Sequence, residues 1–327
     1  MKLAFEQIQS AARGVARVEE IDGQINFFRF TAEQDAYYAR RNPDLHLRSR
    51  ATSGVILEFD TDSESLTLSV ETTPGSSRQY TVHSIFINGE RIGQLDCSMP
   101  EDAASARYSG TFALGIGTKR IKILFPWAVC SKLESLILDD NASFTPVQKN
   151  KTILIFGDSI TQGYDAEIPE NSYAAQLVAH FDANGINKAV GGEVFSPGLA
   201  ACQDAVTPDL ITVAYGTNDW SLFGALTEDA CTFYQTLRKL YPNTPMIAMA
   251  PIWRADTVQE GHCDFSLVRQ HIADIASCVE NVSFIDCFPF IPADAALFSD
   301  SYLHPNDAGF AYYGAKLIRA IEEKNLM

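Results

Sequence analysis

The chain lacks any cysteine pair at redox or metal-binding spacing. Its seven cysteines (97, 130, 202, 231, 263, 278 and 287) are scattered over 327 residues without a Cys-x-x-Cys. An odd, dispersed set excludes a fully paired disulfide framework and suits reduced, mostly buried thiols. Cys202 and Cys263 fall in loops, where a lone cysteine reads as structural. Basic residues are also scarce: 25 Lys and Arg against 41 Asp and Glu give a formal charge of −16. That field repels phosphate, so neither nucleic acid nor an anionic membrane surface is an expected partner. No run of eighteen apolar residues occurs, which leaves no membrane-spanning candidate. The opening Met1-Lys2-Leu3-Ala4-Phe5-Glu6-Gln7 has no apolar core of a signal peptide, so a cytoplasmic location is expected. Gly-x-Ser-x-Gly, His-Glu-x-x-His, a P-loop and Gly-x-Gly-x-x-Gly are all missing, which removes the elbow hydrolases, zinc peptidases and common nucleotide binders.

What is present is an apolar fraction of 46%, enough for a large core. Two patterns divide it. From residue 1 to about 148 apolar and polar residues alternate, as at Val55, Leu57 and Phe59, at Leu66, Leu68 and Val70, and at Ile121, Ile123 and Phe125. Period two marks strands with one buried face. Asn88-Gly89 after Val82 to Ile87 is a hairpin signal, and Thr31-Ala32-Glu33-Gln34 is a capping box opening one helix toward Tyr38. Several short strands predict a β-sandwich of jelly-roll type. His46 and His83 have no partner at ligand spacing. Tyr37, Tyr38 and Trp127 read as core aromatics, with a sugar platform as the alternative. The stretch 142–151 is polar with one proline and reads as the boundary.

From 149 to 327 the pattern alternates strand and helix. Ile153 to Phe156, Ile186 to Val190, Leu210 to Tyr215, Met246 to Ala250 and Val282 to Ile285 read as strands. Helices fall around Tyr173 to Phe181, from Leu226 to Leu240, from Leu267 to Val279 and from about Asn306 to Lys324. Such alternation predicts an α/β fold with a parallel sheet covered on both faces, three layers in all. Ligands of such sheets bind at the carboxyl ends of the strands.

Four loop signals fall on that edge: Gly157-Asp158-Ser159, Ala189-Val190-Gly191-Gly192, Gly216-Thr217-Asn218-Asp219 and Leu303-His304-Pro305-Asn306. Gly-Asp-Ser by itself is an ordinary turn before a helix cap. Taken in order, the four blocks resemble the SGNH hydrolases, or GDSL esterases and acylhydrolases, over roughly residues 151 to 323. The resemblance implies a flavodoxin-like sheet, Ser159 as nucleophile, His304 as base, and Gly192 and Asn218 in the oxyanion hole. It implies no metal or other cofactor. Each residue type answers a need of acyl transfer: a base to take the hydroxyl proton, and N–H donors for the charge that grows on the carbonyl oxygen. Asp158 and Asp219 read as loop-bonding residues.

One departure stands out. The family has aspartate three residues before the histidine, where this chain has Ser301, with Asp300 four before. Either Asp300 orients the ring from a loop one residue longer, or a backbone carbonyl does so. Trp220, Trp253 and Arg254 are the candidate substrate contacts, since aromatic walls with a few polar groups suit a sugar or an acyl chain. A sandwich ahead of this domain looks like the arrangement of some carbohydrate esterases. The expected function is hydrolysis of a short acyl ester, acetyl foremost, on a small molecule or oligosaccharide. The alternatives are a thioesterase or lysophospholipase-like acylhydrolase, and a non-catalytic carbohydrate-binding protein. Nothing in the sequence bears on oligomeric state.

Overall fold

The structure, a computed structural model, describes residues 1–257 and 262–327, with the backbone alone at 222, 223 and 225. Its second half is a five-stranded parallel sheet. The strands are Thr152–Gly157, Asn184–Asn187, Leu210–Ala214, Met246–Met249 and Val282–Ile285, lying in the order second, first, third, fourth, fifth. This is the flavodoxin-like order, whose switch point lies between the first and third strands. Successive residues of one strand serve opposite faces. Leu154 and Phe156 enter a core with helices Phe223–Leu240 and Phe265–Cys278. Ile153 and Ile155 enter another with helices Tyr173–His180 and Asp307–Glu323. Burial on both sides is why the strands read as continuous apolar runs rather than alternating ones.

The first half is β-rich and antiparallel. One sheet runs Ala12–Arg13, Ile56–Thr61, Lys119–Leu124, Val82–Ile87, Glu90–Asp96, and the other runs Arg17–Ile21, Gln24–Phe28, Val129–Leu138, Ser65–Pro74, Ala106–Ala113. Alternate residues of both, such as Leu57 and Ile123 from one and Leu68 and Leu136 from the other, share a single apolar core. Asn88 and Gly89 both take positive φ, 51° and 89°, as a two-residue type I′ hairpin requires. Thr31 Oγ1 accepts from Gln34 N at 3.2 Å while Gln34 Oε1 accepts from Thr31 N at 3.0 Å, and this capped helix continues to Arg41.

Three local readings are revised. Helices Phe5–Ala11 and Pro43–Ser49 interrupt the β pattern. The second strand ends at Asn187, although Lys188 and Val190 still donate to the carbonyls of Ile155 and Gly157 at 2.7 and 3.1 Å. The polar stretch 142–151 is stitched down: Thr145–Pro146 pairs with the Ile56–Thr61 strand, and Lys149 Nζ bridges Glu58 at 2.9 Å and Asp182 at 2.6 Å.

The halves interlock through buried charge. Arg29, only 1% exposed, donates to the carbonyls of Ala51 (2.6 Å), Asn187 (2.5 Å) and Ala189 (2.9 Å). Burial lowers its pKa to about 10. Lys188, fully buried, reaches back to the Arg29 carbonyl at 2.6 Å and Gln34 Oε1 at 2.9 Å, with Asp204 as its counter-ion at 2.5 Å. Phe30, Tyr38 and Leu45 of the first half complete one apolar core of the second. No helix among the described residues is long and apolar enough to cross a membrane.

Candidate active site

The first strand ends at Gly157, where a Cβ would strike Thr161 Oγ1 at 2.2 Å, so only glycine allows the chain to turn this tightly into the helix Ser159–Gln162. Asp158 caps that helix, its carboxylate accepting from Ile160 N at 2.9 Å. Burial, with the negative charge of Asp219 adding to it, pushes the Asp158 carboxyl up to about 7. Ser159 follows as the first helical residue, 7% exposed.

Ser159 Oγ lies 2.9 Å from His304 Nε2. His304 Nδ1 lies 2.7 Å from Asp300 Oδ2. Asp300 Oδ1 meanwhile accepts the backbone N–H groups of Tyr302 (3.1 Å), Leu303 (2.8 Å) and His304 (3.1 Å). Burial works against the Asp300 carboxylate, but these N–H donors and the imidazole outweigh it and hold its pKa below the usual range. The aspartate displaced by one residue therefore touches the ring, because the loop folds around its carboxylate as an Asx-type turn. Ser301 takes φ of 68° within that turn.

The second block presents glycine twice, and the two differ. Gly191 N–H is taken by Gln162 Oε1 at 2.7 Å and its carbonyl accepts from Arg48 Nη1 at 2.8 Å. Gly192 has φ of 84°, a left-handed conformation, and a Cβ there would meet Arg48 Nη1 at 2.9 Å. Among the described residues no hydrogen bond occupies the backbone N–H of Ser159 or of Gly192. Asn218 Nδ2 donates one proton to the Glu193 carbonyl at 2.9 Å, which fixes the amide and leaves its second proton for a ligand. Asp219 accepts from Phe195 N and Gly216 N, both at 2.9 Å, and burial raises its carboxyl to about 6. It ties the second and third blocks together.

A hollow beside this edge is lined by Gly192, Val194, Thr217, Asn218, Trp220, Ser221, Arg254 and His262. Trp220 reaches it but is 2% exposed, its Nε1 held by the Cys263 carbonyl at 2.7 Å. Arg254 lies 4.9 Å above that indole and gives some of its N–H donors to Asp256 (2.5 and 2.7 Å) and the Thr217 carbonyl (3.1 Å). Trp253 is not brought to the hollow; it packs on Phe298 with ring centroids 5.3 Å apart. Of the earlier aromatics, Tyr38 is fully buried and Trp127 is 5% exposed, so both are core.

Several residues here carried no sequence signal. Glu193, whose side chain is buried, positions Asn218 through its carbonyl while its carboxylate meets Arg41 at 2.6 Å. Tyr164 stacks on the His304 ring at 5.6 Å and 27°. Asp165 lies 4.0 Å from His304 Nδ1.

Residues 155–312 match the model of the GDSL-like lipase/acylhydrolase family. No curated protein matches the chain. Among solved structures, the salicylyl-acyltransferase SsfX3 from a tetracycline biosynthetic pathway superposes with a TM-score of 0.82 at 20% identity, covering 97% of this chain and 95% of that one. A GDSL-like lipase described from Bacteroides ovatus gives 0.78 at 20% identity, with 99% and 97% covered. A family two carbohydrate esterase from Cellvibrio japonicus gives 0.68 at 16% identity, again with 99% and 97% covered. These chains share the whole two-part fold, β-rich region first.

Proposed function

We propose the reaction from one premise: residues 155–312 form a GDSL-like lipase/acylhydrolase domain, and the protein is a carboxylic ester hydrolase. Ser159 is the nucleophile. As its Oγ attacks the ester carbonyl, the hydroxyl proton passes to His304 Nε2, 2.9 Å away, while Asp300 at 2.7 Å holds Nδ1–H and balances the imidazolium. The charge that collects on the former carbonyl oxygen is met by the N–H groups of Ser159 and Gly192 and by the second amide proton of Asn218. His304 then returns its proton to the leaving alcohol, which departs and leaves an acyl-Ser159. A water gives a proton to the same nitrogen as its oxygen bonds to the acyl carbon, and the bond to Ser159 Oγ then breaks as Oγ takes that proton back, which releases the acid and restores Ser159.

The substrate in this reading is a short acyl ester, acetyl foremost, on a carbohydrate. The hollow beside Gly192 and Asn218 carries Thr217, Ser221, Arg254 and His262 around one indole, a polar wall that suits hydroxyl groups better than a long acyl chain. The fold shared with a carbohydrate esterase supports the same direction. The observation that carries the proposal is the unbroken relay from Ser159 through His304 to Asp300. Turnover of p-nitrophenyl acetate is expected to exceed that of the octanoate ester, and Ser159→Ala is expected to lose about 10⁴-fold or more in kcat. Release of acetate from acetylated oligosaccharides tests the natural substrate. Preference for octanoyl ester or thioester would transfer the site to an acylhydrolase of longer chains. A Ser159→Ala variant as active as the parent would end the proposal.

A further inference from the structure

The His304 ring faces a second carboxylate for which the proposed reaction has no use. Asp165 Oδ2 stands 4.0 Å from Nδ1, the nitrogen that Asp300 occupies at 2.7 Å. Two uncompensated carboxylates beside one imidazole would hold it as imidazolium, and a protonated ring cannot act as base. Asp165, however, is not uncompensated. Arg78, from the loop between strands Ser65–Pro74 and Val82–Ile87 of the β-rich half, grips it with both arms, Nε to Oδ1 at 2.6 Å and Nη2 to Oδ2 at 3.0 Å. A bidentate fork of this kind fixes both the charge and the orientation of the carboxylate. It also raises the Arg78 pKa, so the cation persists at any working pH.

The surrounding chain is built to keep this pair in place. Asp165 takes a left-handed φ of 69°, which aspartate tolerates and which turns its side chain out of the run of its neighbours. On one side, Tyr164 stacks on His304 and lies under the Arg78 guanidinium at 5.5 Å. On the other, the Ala166 carbonyl accepts from Trp127 Nε1 at 2.9 Å, and the Trp127 ring lies 5.0 Å from Tyr164. Three consecutive residues, 164 to 166, are thus each held by the β-rich half. Burial keeps the Tyr164 phenol protonated. Among the described residues, the charged groups around the ring are Asp300, Asp165, behind Asp165 Arg78, and Arg48, whose charge acts on the stacked Tyr164 phenol, with the Ser159 hydroxyl on the opposite nitrogen.

We propose that Arg78 and Asp165 form a positioning pair for His304, through which the β-rich half sets the charge balance of the catalytic base. Arg78 cancels Asp165 and pins it, so that among the described residues Asp300 is the carboxylate that bonds Nδ1 without an arginine or lysine partner of its own. The inference rests on the assignment of Ser159 and His304 made above.

The test is the pH dependence of kcat/KM on p-nitrophenyl acetate, whose acid limb reports the free enzyme's base. Arg78→Gln leaves a bare carboxylate near the ring, so the limb moves up by about one pH unit. Asp165→Asn leaves a bare guanidinium, so the limb moves down by a similar amount. The double variant returns the limb toward that of the parent, and Arg78→Lys, which keeps the charge and loses the fork, moves it less than Arg78→Gln. A merely structural pair would lower activity in both single variants and leave the limb where it was. Limbs that stay fixed, or that move the same way in both, overturn the proposal. Should Arg78→Gln fail to fold, the downward shift in Asp165→Asn decides alone. Loss of turnover in Ser159→Ala with fixed limbs sinks only this inference, whereas full turnover in Ser159→Ala sinks the assignment beneath it.

Discussion

The two halves of the chain contribute to one site in different ways. The parallel-sheet half supplies every atom that takes part in the proposed bond-making: Ser159, Gly192, Asn218, Asp300 and His304. The β-rich half supplies arginines: Arg29 beneath the second strand, Arg48 on the Gly191 carbonyl, Arg41 on Glu193 and Arg78 on Asp165. Reacting groups must be of particular types at the ends of particular strands, so they leave motifs. Supporting groups need only a long side chain and a fork of donors, which a chain can deliver from many backbone positions. Arginine suits this task because its charge survives burial and its planar donors saturate several carbonyls at once. The β-rich region therefore supports the site from behind its lining residues.

The sharpest way to test that division is to alter a member of each half. Asp300→Asn carries the largest expected effect. Its carbonyl oxygen keeps the loop's N–H bonds, but the amide nitrogen would face Nδ1–H and favour the wrong tautomer, so kcat falls by about 10⁴, as in serine proteases. A loss under about tenfold would mean that a backbone carbonyl orients the ring instead. In the other half, Arg29→Met is volume-conserving but strips the donors from the carbonyls of Ala51, Asn187 and Ala189. Leaving such acceptors buried and unpaired costs at least about 3 kcal/mol, to be read from the urea midpoint. An unchanged midpoint would show that the Arg29 bonds add nothing to the hold between the halves beyond apolar contact and the Lys188 bridge.

The same contrast explains what could be read from the sequence. The strand and helix order of the second half was legible because runs such as Ile153 to Phe156 are apolar on both faces. The strand Ser65–Pro74 of the first half was legible because Leu66, Leu68 and Val70 alternate, whereas Arg17–Ile21, Gln24–Phe28 and Ala106–Ala113 were not read. Helix Phe5–Ala11 was not: its seven residues span only two turns, too few for a period to emerge. Helix Pro43–Ser49 carries an Asn42-Pro43 start that resembles a turn until its capping bonds are seen. The four sequence blocks pointed to the loops that the fold gathers at the carboxyl edge. They pointed to Gly192 without its physical difference from Gly191, which is the hydrogen bond that Gly191 N–H donates to Gln162, and left Asp300 as one alternative beside a backbone carbonyl, because its reach depends on a left-handed Ser301. Arg78 and Asp165 were invisible for a further reason: they lie 87 positions apart, and neither has a local pattern.

The smallest expected effect on catalysis comes from Asp158, and it separates the two aspartates nearest the nucleophile and the base. Asp300 is held charged, so what it contributes to stability is present at neutral pH and is lost as pH falls through its lowered pKa. Asp158 is the reverse case. Its folded pKa of about 7 lies above the ordinary 3.8, so the fold binds a proton that the unfolded chain releases. The resulting stability is complete below about pH 4 and is lost as pH rises through about 7, an upper bound of roughly 4 kcal/mol at 1.36 kcal/mol per unit. Asparagine caps a helix as well as aspartate does. Asp158→Asn should therefore keep the Ser159–Gln162 helix and flatten the fall of Tm between about pH 4 and 7. Part of that fall will persist, because Asp219 is also raised, to about 6, and titrates in the same window. If the slope is untouched, the buried acid beside the nucleophile is ionised throughout, and the negative charge it then carries must be met by Arg254, the cation whose field already acts on it.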